Sequence, residues 1–139
     1  MTKISFFLVL FSVISAFSQN TKTTLKESFL ADYVAQKEKV KAEDISRIVL
    51  KKDKDFTHGV ILLNSSSACG VGSCTYYAFV KNSNGSFDFA GMIDGVFVET
   101  KSSKDSDLPE ILTQTKASDV KSAKMKWTFN KETKVYETK

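Results

Sequence analysis

The sequence predicts an α+β fold: an N-terminal helix packed on an antiparallel sheet of about six to eight short strands joined by hairpins. Three observations carry this expectation. Apolar residues near the start recur at helical spacing, those after residue 44 come in short β-branched and aromatic runs, and turn-forming clusters separate the runs.

The helix is read from Leu25 to Val40. Leu25, Phe29 and Tyr33, with Leu30 and Val34, form one apolar stripe, while Lys26, Asp32, Lys37 and Glu38 make the polar face. Thr24 followed by Glu27 is a capping-box pattern that would set the start. Ile45 to Lys51 and Val60 to Leu63 read as strands around the polar stretch Lys52 to Thr57, and Gly59 marks a bulge or a close backbone approach. Thr75 to Lys81 is the next strand. The turn Asn82-Ser83-Asn84-Gly85 then leads into Phe87 to Ile93. Asp94-Gly95 is a second turn signal before Val96-Phe97-Val98, and the polar segment Lys101 to Asp107 precedes Leu108 to Leu112, with Pro109 suited to a loop or strand edge. A last hairpin joins Lys124–Phe129 to Lys134–Glu137. Alternation puts Met125, Trp127 and Phe129 on one side, and their size assigns that side to the core.

No linker or internal repeat divides the chain, so residues 19–139 are expected to form one domain. Residues 1–18 read as a secretory signal: a basic start at Lys3, an apolar run from Ile4 to Phe17, and small residues at Ala16 and Ser18. A retained anchor is the alternative reading. After Ser18 no second apolar stretch follows, so the mature chain is expected to have no membrane span and to be periplasmic or secreted. The formal charge of +4 includes Lys3, and the single arginine is Arg47. Lysines and acids are interspersed, unlike the concentrated basic, aromatic-bearing face of a nucleic-acid reader, so that class is excluded. A weakly basic surface suits loose contact with anionic envelope polymers.

The only cysteines, Cys69 and Cys74, stand in the stretch ACGVGSC. An oxidising compartment favours a bond between them, four intervening residues suit a hairpin, and Gly70 and Gly72 allow a tight turn. The spacing is not C-x-x-C, and with one histidine the chain cannot assemble an ordinary zinc set. The pair is therefore read as a staple.

Catalytic patterns are sparse. A Ser-His-Asp arrangement would have to use His58, which has no Gly-x-Ser-x-Gly elbow to serve. Asp53 and Asp55, or Asp105, Asp107 and Glu110, are the paired-carboxylate candidates, and the second group also holds the weak calcium candidates. Both lie in lysine-rich polar segments, where solvated charge is the ordinary reading. Asn64-Ser65-Ser66 and Asn84-Gly85-Ser86 match a glycosylation triplet, read as coincidence in a bacterial-looking chain, and Gly70-Val71-Gly72 is too short to cradle a phosphate.

ACGVGSCTYYAFVK followed by NSNGSFDFAG and by WTFNKETKVYE resembles a loosely defined set of small exported bacterial proteins with a Cys-Gly-rich-Cys turn. Asp107-Leu108-Pro109-Glu110-Ile111-Leu112 resembles the tail of an FG-GAP or VCBS-type blade segment, although the acidic-loop glycine is missing and the unit does not recur. The likeness runs roughly from Asn64 to Tyr136. The signal ending, Ala-Phe-Ser before Gln19, is similar to those common in Bacteroidetes. These resemblances imply no activity and no cofactor.

The leading functional expectation is a small exported, disulfide-stapled binding module, not an enzyme. Its candidate contacts are Tyr76, Tyr77 and Trp127 beside the stapled loop, and its partner is a protein or an envelope polymer. An envelope structural or accessory protein without a discrete ligand is the alternative, followed by a carboxylate-dependent hydrolase. Burial of the aromatics discriminates among them.

Overall fold

A computed structural model describes residues 23–51, 59–70, 73–104, 106–115 and 123–138. The signal segment, Asp53, Asp55, His58 and Asp105 lie outside these described residues, as do Val71 and Gly72.

The described chain is β-rich, with antiparallel pairing throughout and one α-helix. Its strands divide between two sheets. In the first, β1 (Thr24–Leu25), β6 (Phe87–Asp94), β5 (Ser73–Lys81), β3 (Gly59–Ser65) and β2 (Ile45–Lys51) lie side by side in that order, and β4 (Cys69–Gly70) adds to β5. In the second, the order is β10 (Val135–Thr138), β9 (Ala123–Asn130), β8 (Glu110–Thr115) and β7 (Val96–Lys101). The expectation of one sheet with six to eight strands is corrected to ten strands in two sheets among the described residues. The two extra strands, β1 and β4, are two residues long, too short for a period to register.

Helix α1 (Leu30–Glu38) packs on one face of the first sheet. Leu30 and Val34 join Ile61, Leu63, Tyr77, Phe79 and Phe87 in one buried cluster, with Tyr33 edge-on to Phe79 at 5.9 Å between ring centres. The other face carries Leu50, Val60, Leu62, Tyr76, Ala78, Ala90 and Ile93, and the second sheet closes over it with Ile111, Trp127 and Tyr136. Strand β3 is thus covered on both sides and buried along its whole length, which explains its unbroken apolar run.

The helix begins later than its sequence pattern predicts. Thr24 and Leu25 pair with Asp88 and Phe87 on β6, and the Thr24 hydroxyl donates to Asp88 Oδ1 at 2.7 Å instead of capping a helix. Glu27 is drawn to the Arg47 guanidinium on β2. Both capping-box side chains therefore bind across the fold, a 3-10 turn spans Glu27–Phe29, and Phe29 swings out to 53% exposure instead of joining the apolar stripe. The far end stops where Lys39 turns left-handed (φ 56°) and the Val40 amide donates to Ala35 O.

Two glycines shape the strands. Opposite β5, Tyr77 pairs with Met92 and Phe79 with Phe89, so Ala90-Gly91 together oppose Ala78 alone. This bulge, with Gly91 at φ 92°, lets Ala90 and Ile93 both face the space between the sheets although they are three residues apart. Gly59 forms no such bulge: it pairs regularly with Lys51. At Asp94-Gly95 the chain makes a corner rather than a hairpin within one sheet, passing from the first sheet into β7 of the second. Gly95 has φ 107°, and a Cβ there would stand 2.7 Å from Thr113 Oγ1, so only glycine fits this crossing.

Candidate functional site

The stapled turn comes directly from local sequence. Cys69 and Cys74 are directly paired across β4 and β5 and disulfide-bonded, their Cα atoms 3.9 Å apart, so neither thiol is free for nucleophilic work or for binding metal. Asn64 donates to Cys69 Sγ at 3.4 Å and is itself buried, which takes it away from any glycosylating enzyme. The staple also reaches the corner between the sheets: the Gly95 amide donates to Cys74 O at 2.8 Å.

Tyr76, Tyr77 and Trp127, the expected contact aromatics, are core residues with 5%, 7% and 8% exposure. Each has a polar end with an internal partner. Tyr76 Oη accepts the Phe97 amide at 3.2 Å, tying β5 to β7. Tyr77 donates its hydroxyl to Glu38 on α1, and burial, reinforced by that carboxylate, pushes its pKa up to about 12. Trp127 donates Nε1–H to Thr113 Oγ1 at 3.0 Å, and Thr113 in turn donates to Asp94 O at 2.7 Å. These rings join layers, so a contact surface has to be sought among other residues.

The polar segment between β7 and β8 supplies one. With the β9–β10 turn it encloses a cavity of about 360 Å³. Lys101 and Lys104 reach it from the segment, Lys131 reaches it from the turn, and Asp107 is the one carboxylate among the described lining residues. Four hydroxyl residues complete the polar wall, among them Ser106, whose Oγ accepts the Leu108 amide at 3.1 Å and so keeps its own O–H to donate. Among the described lining residues, three lysines thus stand against one carboxylate.

Local chemistry holds both walls. Asn130 Oδ1 accepts the amides of Glu132 and Thr133, and Lys134 closes the turn at φ 62°, which sets Lys131 near its tip. Tyr136 donates to Pro109 O at 3.0 Å, pinning the segment to β10, while Leu108 is buried beneath it. Burial holds the Tyr136 phenol well above the ordinary tyrosine range.

The acidic candidates part company here. Asp107 lines the cavity, and Glu110 faces Lys126 at 3.9 Å across β8 and β9. Among the described residues no group of three or more His, Cys, Asp or Glu side chains is gathered as a cation would require. Sequence reasoning passed over the three lysines because each looked like solvated charge; Lys104 and Lys131 are far apart in the chain, and only the β7–β10 meander unites them.

A second, shallower recess of about 630 Å³ runs along α1, where Leu25, Phe29, Tyr33 and Val40 are flanked by Asp32 and Lys39. Among the described residues no helix is long and apolar enough to cross a membrane. No family model, curated protein or solved structure matches the chain.

Proposed function

We propose that the protein is a small exported binding module, a disulfide-stapled β scaffold that holds an anionic envelope ligand without a cofactor and without catalysing a reaction. One observation carries this reading: Lys101, Lys104 and Lys131 converge from two separately braced elements on one cavity. Charge gathered in a recess focuses the field and draws an anion in, whereas the same lysines scattered on a convex surface would only solvate. The staple and the corner hydrogen bonds supply a rigid scaffold, which lowers the entropy lost on binding.

The test is a two-dimensional NMR titration of residues 19–139 with two polyanions, polyphosphate and polygalacturonate. Amide shifts concentrated at 100–109 and at 131, and abolished in a Lys101→Gln/Lys104→Gln/Lys131→Gln variant, are expected. Shifts spread evenly over the surface would mean nonspecific attraction and would remove the proposal.

The burial of Tyr76, Tyr77 and Trp127 favours a second reading, an envelope structural or accessory protein with no discrete ligand. The same titration separates the two, since that reading expects no localised response.

A further inference from the structure

The tip of the β5–β6 hairpin carries a chemistry independent of the ligand proposed above. We infer that Asn84 is a self-modification site, whose side-chain amide is lost through attack by the Gly85 backbone nitrogen. A bond forms between Gly85 N and Asn84 Cγ, the Cγ–Nδ2 bond breaks, and ammonia leaves carrying the Gly85 amide proton. Water then opens the cyclic imide. Opening at Cγ gives aspartate, and opening at the backbone carbonyl leaves the chain running through Cγ as isoaspartate. No cofactor is needed.

Three conditions select this asparagine among Asn64, Asn82, Asn84 and Asn130 of the described residues. The first is access to the nucleophile. Gly85 alone among the residues that follow them has no Cβ to hinder the approach of its nitrogen. The second is a carboxamide free to turn. Asn82 uses both ends of its own: Oδ1 accepts the Asn84 and Ser86 amides at 3.0 and 3.1 Å, and Nδ2 donates to Asp88 at 3.2 Å. Asn130 is held in the same way by the amides of Glu132 and Thr133 and by the Glu137 carboxylate. Asn64 is buried and donates to Cys69 Sγ. Asn84 is exposed, and among the described residues only its backbone amide is engaged.

The third condition is a backbone able to move. Gly85 sits at φ 78° with nothing within 4 Å of where a Cβ would stand, and its N–H is tied to Asn82 O at 3.1 Å. An exposed turn bond at a hairpin tip is among the first to open. The product changes the hairpin in turn. Isoaspartate inserts an extra methylene into the backbone, so the bonds that gather the Asn84 and Ser86 amides on Asn82 no longer close together. It also adds a carboxylate to a tip whose base already carries Asp88.

The experiment holds the purified protein at physiological temperature and pH, native and in urea. Asparagine loss is followed by peptide mass spectrometry with fragmentation that separates aspartate from isoaspartate. Native Asn84 is expected to convert, mostly to isoaspartate, at a rate within about tenfold of that in urea, since one exposed hydrogen bond holds back no more than that. Asn64, Asn82 and Asn130 are expected to stay intact in the native protein. Conversion of Asn84 no faster than that of Asn82, or more than about tenfold below its rate in urea, would overturn the assignment.

Asn84→Gln, whose longer side chain closes a ring far more slowly, is expected to abolish the acidic fraction that accumulates on ion exchange. Persistence of that fraction would place the modification elsewhere in the chain. Freshly purified Asn84→Asp carries the charge without the added methylene, so the isoaspartyl protein is expected to melt below it. Equal melting would overturn the effect on the hairpin.

Discussion

Trp127 donates its indole N–H to the Thr113 hydroxyl at 3.0 Å, and Thr113 donates its own O–H to the carbonyl of Asp94, where the chain leaves one sheet for the other. A buried donor and a part-buried acceptor are thus satisfied by one side chain. Thr113→Val preserves shape and strands both, so it is expected to cost about 2–3 kcal/mol in urea unfolding. Trp127→Ala is expected to cost at least about 3 kcal/mol because it also opens a cavity. A loss below about 0.5 kcal/mol for Thr113→Val would show that the relay contributes nothing net.

The corner makes a sharper claim about glycine. Gly95→Ala puts a Cβ within 3 Å of Thr113 at a φ of 107° and is expected to destabilise by more than about 2 kcal/mol. Gly85→Ala, at φ 78° with nothing within 4 Å, carries only the backbone cost of about 1 kcal/mol. Equal effects on thermal unfolding would contradict the steric argument.

Breaking the staple is expected to lower stability without changing the fold. A loop this short contributes on the order of 2 kcal/mol, so Cys69→Ser should melt several degrees below the oxidised parent and coincide with the reduced parent. Identical melting with and without reductant would discount the bond as a stabiliser.

Tyr77 sets an alkaline limit. Its pKa of about 12 in the fold exceeds the ordinary value of 10.0, so the folded state holds the phenolic proton more tightly than the unfolded chain. Its contribution is complete below pH 10, falls as pH rises from 10 to 12, and amounts to about 2–3 kcal/mol over that window. Tyr77→Phe should give a shallower decline over the same interval, and parallel curves for parent and variant would refute the assignment.

Local sequence anticipated several elements closely. The residues of β2 coincide with the apolar run Ile45–Lys51, and the Asn82–Gly85 turn forms as read, with Asn82 O accepting the Gly85 amide. The same locality misled at Thr24 and Glu27, a sound capping pair whose side chains found stronger claims on Asp88 and Arg47, each at least twenty residues away. Phe29 shows the consequence: its place on the stripe depended on a helical turn that β1 had displaced.

Of the candidate site, the sequence carried the ingredients but not the assembly. Cys69 and Cys74 were legible because their partnership spans five residues, within reach of one tight turn. Tyr76 and Tyr77 were legible as strand aromatics, yet which faces would be covered depended on α1 over one side of the sheet and on Ile111, Trp127 and Tyr136 over the other. Lys131 could not be joined to Lys101 and Lys104 by any periodicity.

The sequence by itself determined the eight longer strands, the Asn82–Gly85 turn and the staple, because backbone preference and side-chain period act over a few residues. Tertiary structure alone decided the split into two sheets, the burial of both faces of β3, and the meeting of three lysines around one recess, because those depend on contacts between segments that the chain only brings together on folding.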